Sequence, residues 1–204
     1  MYWIILIGFG ILSWWVSNRL KNRFREYSEV PTSSGLSGAE IAEKMLRDNF
    51  ISDVKVMSVE GELTDHYNPQ NKTINLSRAV YHGRNVSAAA VAAHETGHAV
   101  QHATAYTMLK FRSAMVPVVN LSSRLMNIIF IMAIFGGLAF SLMPQMFIVI
   151  ILAQAAITLF SLVTLPVEFD ASARALQWLE RSRITSGQEH AKAKNALQLS
   201  LIHI

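Results

Sequence analysis

The sequence predicts a mainly α-helical membrane protein that also carries a small α+β domain, and three observations predict it. Of its 204 residues 51% are apolar, mean hydropathy is positive, and the apolar residues gather in three long runs. The stretch Ala88 to His102, AAAVAAHETGHAVQH, is rich in strong helix formers and sets His94, Glu95 and His98 in the pattern HExxH. Between Val54 and Leu76 apolar residues recur at strand spacing, around a turn-forming cluster.

The formal net charge is +4, but the basic residues sit beside the apolar runs and form no patch interleaved with aromatics. The charge therefore reads as membrane topology, and nucleic acid is not an expected partner. The chain has no cysteine. Disulfides and thiolate ligands are excluded, so any metal must be held by histidine and carboxylate.

Taken in order, Tyr2 to Val16 is apolar apart from Ser13, can extend through Ser17 and Asn18, and has Trp3, Trp14 and Trp15 as interfacial anchors. A cleaved signal needs its basic residues before the apolar run, whereas Arg19, Lys21, Arg23 and Arg25 follow it. Residues 1–18 are thus expected to be an uncleaved transmembrane anchor, with the basic cluster in the cytoplasm. Residues 19–124 would form the catalytic region on that side.

Glu26 to Leu36, with Pro31, Ser33, Ser34 and Gly35, reads as a linker. Ser37 then caps a helix, with Glu40 as its capping-box partner and Ile41, Met45 and Leu46 on one face. Val54 to Val59 suggests a strand. Leu63 to Tyr67 and Thr73 to Leu76 suggest a hairpin turning at Asn68 to Asn71. Leading straight to the HETGH helix, this hairpin is expected to hold an extended substrate by backbone hydrogen bonds, with Asp65, His66 and Tyr67 as candidate contacts.

Ser87 is a plausible N-cap for the helix that follows, which is expected through His102 and on to Lys110. Residues four apart on a helix lie about 40° apart, so His94 and His98 can aim at one point, as zinc requires. Glu95 is turned about 100° from His94, placed to act as general base on a water without ligating the metal. His102 continues the face, but three histidines stacked at successive turns do not converge on one ion, so a supporting or solvated role is expected for it.

Leu125 to Met143 and Met146 to Leu165 are each long enough to cross a bilayer and are separated only by Pro144 and Gln145. They predict a transmembrane hairpin over residues 125–165. Two crossings return the chain to its starting side, where Glu168 of the C-terminal helical region, residues 166–204, is a candidate third ligand. Glu168 is expected to begin a helix through Leu179, with Arg174, Arg181 and Arg183 adding to the cytoplasmic basic bias. A second helix is expected from Gln188 to Leu199. Neither span contains an ionisable residue, which argues against a transporter or proton relay.

Together AAHETGHAVQH, LTDHYNPQNKTINLS and LPVEFDAS resemble the YugP-type membrane zinc metallopeptidases of bacteria. Their plan is similar to that of HtpX-like and CAAX-prenyl-type gluzincins, whose third ligand opens an ExxxD pattern. The resemblance implies a zincin-like catalytic domain, one zinc ion on His94, His98 and Glu168, a protein or peptide substrate, and a multi-pass location in the bacterial plasma membrane. The chain departs from ExxxD by having Ser172 where the aspartate stands, and Asp170 is the expected substitute. His66, Tyr67, His102 and Arg174 are the candidates for steadying the oxyanion. The resemblance also implies a further apolar segment beyond this point. The last six residues, LSLIHI, match the translation of a sequencing-library transposon end and are expected to be foreign to the natural protein.

Two other functions meet obstacles. An intramembrane protease would need its metal helix to span, and Glu95, Gln101 and three histidines interrupt that run. A silent scaffold with a structural zinc would need a fourth protein ligand, such as His102.

Overall fold

The structure, a computed structural model, describes residues 2–135 and 144–203. Its elements in chain order are α1 (Tyr2–Ser28), α2 (Gly38–Asp48), β1 (Lys55–Val59), β2 (His66–Asn68), β3 (Thr73–Ser77), α3 (Arg78–His82), α4 (Val86–Ala103), α5 (Thr107–Phe135), α6 (Pro144–Arg181) and α7 (Gly187–His203). The chain is mainly helical, as expected. It divides into two compact units, Met1–Thr104 with Glu168–Ile204, and Ala105–Val167.

In the first unit α4 is the central element, touched by α1, α2, α3, β2, β3 and α7. Its alanines explain how so many neighbours fit: Ala88, Ala89, Ala90, Ala92, Ala93 and Ala99 are all buried, and small side chains let helices approach closely. Ile41, Met45, Ile74, Leu76, Val80 and Leu179 fill the space around it. The capping box of α2 forms as predicted, Ser37 Oγ accepting from Glu40 N–H and Glu40 from Ser37 N–H at 2.7 Å.

The sheet has the order β1-β3-β2, with β1 parallel and β2 antiparallel to β3. Tyr67 pairs with Ile74 at the centre of the hairpin. Asn68 Oδ1 closes the predicted turn by accepting the N–H groups of Gln70 (2.9 Å) and Asn71 (3.2 Å). The first hairpin strand is shorter than expected, because Asp65 turns inward and accepts from Ser77 N–H at 2.7 Å and from Ser77 Oγ.

Several boundaries differ from expectation. α1 continues past Asn18 through the basic cluster to Ser28, since arginine and lysine are good helix formers. Most of the predicted linker is tied down, Val86 N–H donating to Val30 O and Thr32 N–H to Arg84 O. The N-cap of α4 is Asn85, whose side chain accepts from Ala88 N–H at 2.9 Å; Ser87 Oγ instead donates to Phe24 O. α4 stops at Ala103, where Thr104 caps it and Ala105 adopts a left-handed conformation (φ +54°), so the expected run to Lys110 is broken. Glu168 does not begin a helix. α6 passes through Pro166, which forgoes one i→i−4 hydrogen bond, and carries Glu168 in its interior.

The second unit holds α5 and the first part of α6, both long and apolar enough to cross a membrane. The predicted spans lie within these helices, apart from residues 136–143, which fall outside the described ones. α5 starts well before Leu125, so the expected domain limits at 124 and 165 differ from the compact units. Leu121, Ile128, Phe130, Ile148, Ile151 and Leu162 are exposed, and few residues in the most apolar part of either helix are buried. That exposure distinguishes them from the core helices of a soluble protein.

Candidate metal centre

The i, i+4 spacing on α4 does what the helix geometry requires: the rings of His94 and His98 stand 4.8 Å apart, edge to face. Across from them α6 presents Glu168, whose Oε2 lies 3.1 Å from His94 Nε2 and 3.3 Å from His98 Nε2. One ligand atom from each of the three lies within 4.8 Å of the others, and all three residues are buried. Among the described residues no fourth His, Cys, Asp or Glu joins the group.

The approach of the two helices depends on Gly97. A Cβ there would lie 2.7 Å from the Ala171 carbonyl oxygen, closer than any carbon can sit against backbone. The glycine inside HETGH thus lets α4 meet α6 near Glu168.

The imidazoles are oriented from behind. His94 Nδ1 lies 3.1 Å from Ser172 Oγ, and His98 Nδ1 lies 3.0 Å from Gln101 Oε1. Ser172 therefore fills in space the place the pattern gives to aspartate. Asp170 does not reach a histidine directly. It accepts from Gln101 Nε2 at 2.8 Å and from Arg174 Nε at 2.6 Å. With both Nδ1 atoms engaged, both Nε2 atoms face Glu168.

Electrostatics favours a cation here. Burial alone would lower the pKa of His98, but the hydrogen bond to Glu168 and the charges of Glu95 and Glu168 outweigh it and raise the pKa. Two imidazole nitrogens and one carboxylate oxygen, with oxygen atoms behind the rings to accept from each Nδ1–H, fit zinc and leave room for the open position of a catalytic site.

Glu95 stays outside the ligand group, as its place on the helix predicts. Its Oε2 accepts the Tyr67 N–H at 3.0 Å, so that donor points out of the sheet edge, away from β3. Tyr67 also places its hydroxyl 2.7 Å from His102 Nδ1, and His102 remains exposed. His66 is engaged elsewhere, Nδ1 with Thr64 O at 2.8 Å and Nε2 with Asn75 Nδ2 at 3.2 Å. A separate cleft of about 360 Å³, lined in part by Lys21, Arg25, Glu62 and Ser77, includes none of the ligand group.

Sequence reasoning missed Gln101 and Gly97. Gln101 lies three residues after His98, on its face of the helix, and that spacing was the available signal.

A family model described as "Putative neutral zinc metallopeptidase" matches residues 2–201. Over 166 residues the chain is 45% identical to "Putative membrane protease YugP" of Bacillus subtilis (strain 168), a match covering 81% of this chain and 72% of that protein. No solved structure matches. A family match along almost the whole chain, over a buried His-His-Glu group of the right composition, has one meaning: the chain belongs to the neutral zinc metallopeptidase family.

Proposed function

We propose that the protein is a membrane-bound endopeptidase that hydrolyses peptide bonds of protein substrates at the cytoplasmic surface of a bacterial plasma membrane. The observation that carries this reading is the meeting of His94 Nε2, His98 Nε2 and Glu168 Oε2 at one buried point, with Glu95 beside it and outside it. His94, His98 and Glu168 hold the zinc. When bound, zinc acidifies water and polarises the scissile carbonyl.

Glu95 takes the proton of the attacking water and returns it to the leaving nitrogen. Its carboxylate is kept in place by the Tyr67 N–H. The substrate lies extended along the free edge of β2, where backbone groups not used by β3 face outward. Tyr67 is the preferred oxyanion donor among the four candidates: its backbone touches Glu95 and its hydroxyl is held by His102, whereas His66 bonds Thr64 and Asn75, and Arg174 bonds Asp170.

The membrane placement rests on the exposed apolar faces of α5 and α6, the basic residues that follow the apolar start of α1, and the name of the Bacillus relative. The decisive experiment is Glu95→Gln in the full chain, purified in detergent. It should retain zinc at the wild-type ratio and lose cleavage of an unfolded casein-like substrate by at least about 100-fold. Undiminished cleavage would defeat the assignment.

A further inference from the structure

We propose that Gln101 and Asp170 are positioning residues that choose which nitrogen of His98 carries the proton, and so keep Nε2 free for the metal. The inference rests on the reading of His94, His98 and Glu168 as zinc ligands.

Gln101 is fully buried, at 0% exposure, a costly place for a primary amide unless its polar atoms have partners. The amide has two unlike ends. Its oxygen only accepts and its nitrogen only donates, so a neighbour that fixes one end fixes the other. Asp170 does the fixing: its carboxylate oxygen accepts and draws the Gln101 Nε2 to 2.8 Å. Gln101 Oε1 is then turned to His98 Nδ1, at 3.0 Å. Facing an acceptor, Nδ1 must carry hydrogen, and in a neutral imidazole that leaves the lone pair on Nε2, the nitrogen beside Glu168.

Arg174 completes the chain. Its Nε donates at 2.6 Å to the same Asp170 Oδ2 that receives Gln101, so two donors meet on one oxygen. With the amide reversed, Gln101 would offer N–H to His98 Nδ1 and force the proton onto Nε2, where it blocks coordination. The relay also keeps a further negative charge one amide away from the imidazole. On the Nδ1 side the direct partners of both histidines, Ser172 Oγ and the Gln101 amide, are neutral.

The test is zinc affinity of the detergent-purified full chain, measured by competition with a chromophoric chelator, together with the visible spectrum of the cobalt(II)-substituted protein. Asp170→Ala should bind zinc about 10–100-fold more weakly and change the cobalt bands. Asp170→Asn retains an oxygen where the two donors converge and should stay near wild type. Gln101→Leu should lose as much as Asp170→Ala, and the double variant should be no worse than Gln101→Leu alone, because Asp170 acts only through the amide. Should Gln101→Leu not fold, the contrast between Asp170→Ala and Asp170→Asn decides.

Unchanged affinity and cobalt bands in Asp170→Ala, or equal loss in Asp170→Ala and Asp170→Asn, would overturn the relay. His98→Ala separates this from the ligand assignment. If the wild type takes up no zinc, or His98→Ala binds as the wild type does, the ligand reading itself fails.

Discussion

Asp65 shows how one residue near the site can serve the fold instead of the chemistry. It lies two residues before Tyr67, yet its carboxylate turns inward to Ser77. Burial, with the nearby charge of Glu95, raises its pKa above the ordinary 3.8 in spite of the Ser77 hydrogen bonds. A carboxyl whose folded pKa is raised costs stability when ionised. That cost is fully present above the folded pKa and disappears as pH falls below the unfolded value. Asp65→Asn keeps an oxygen for the Ser77 N–H, so it should melt at or above the wild-type temperature at pH 7, with the advantage shrinking towards pH 4. Thermal unfolding at the two values checks this; a clear loss at pH 7 would mean the charge itself is needed.

At the scale of elements, the close crossing at Gly97 sets the distance from α4 to Glu168. Gly97→Ala forces a Cβ against the Ala171 backbone, which cannot rotate away as a side chain could. It should destabilise the protein by about 1–3 kcal/mol and weaken zinc binding, both measurable by thermal unfolding with and without added zinc. Equal stability and affinity would show that the helices part at no cost.

The same elements show what could be read in advance. Helical period alone brought His94 and His98 together and set Glu95 aside, because these relations lie within one helix. Glu168 was reachable from the count of crossings. The role of Gly97 and the hold of Asp170 on Gln101 were not, since they exist only where two helices distant in sequence cross. The N-cap of α4 was misplaced by two residues for a related reason: Asn85 and Ser87 are both good caps, and the backbone oxygen of Phe24 claims the serine. Pro166 reads locally as a stop, but losing one hydrogen bond does not end a helix of 38 residues.

For the whole molecule, the absence of cysteine makes topology directly measurable. Phe50 is 96% exposed in the unit that holds His94, His98 and Glu168, so Phe50→Cys creates a single thiol on the surface. A membrane-impermeant maleimide should label it in inverted vesicles and not in intact cells. Labelling in intact cells would put the site outside. Wild-type protein should also remain with the membrane after alkaline carbonate washing, given the apolar surface of α5 and α6.

Glu168 lies 74 residues beyond His94, with both long apolar helices or parts of them in between. A ribosome makes these residues in order, at about 5–20 residues per second, so for several seconds the nascent chain has His94, Glu95 and His98 but lacks the Glu168 carboxylate. The His-His-Glu group is therefore completed only after almost all of the apolar stretch between its members has been synthesised. A chain interrupted before that point holds two members of the group and lacks the third.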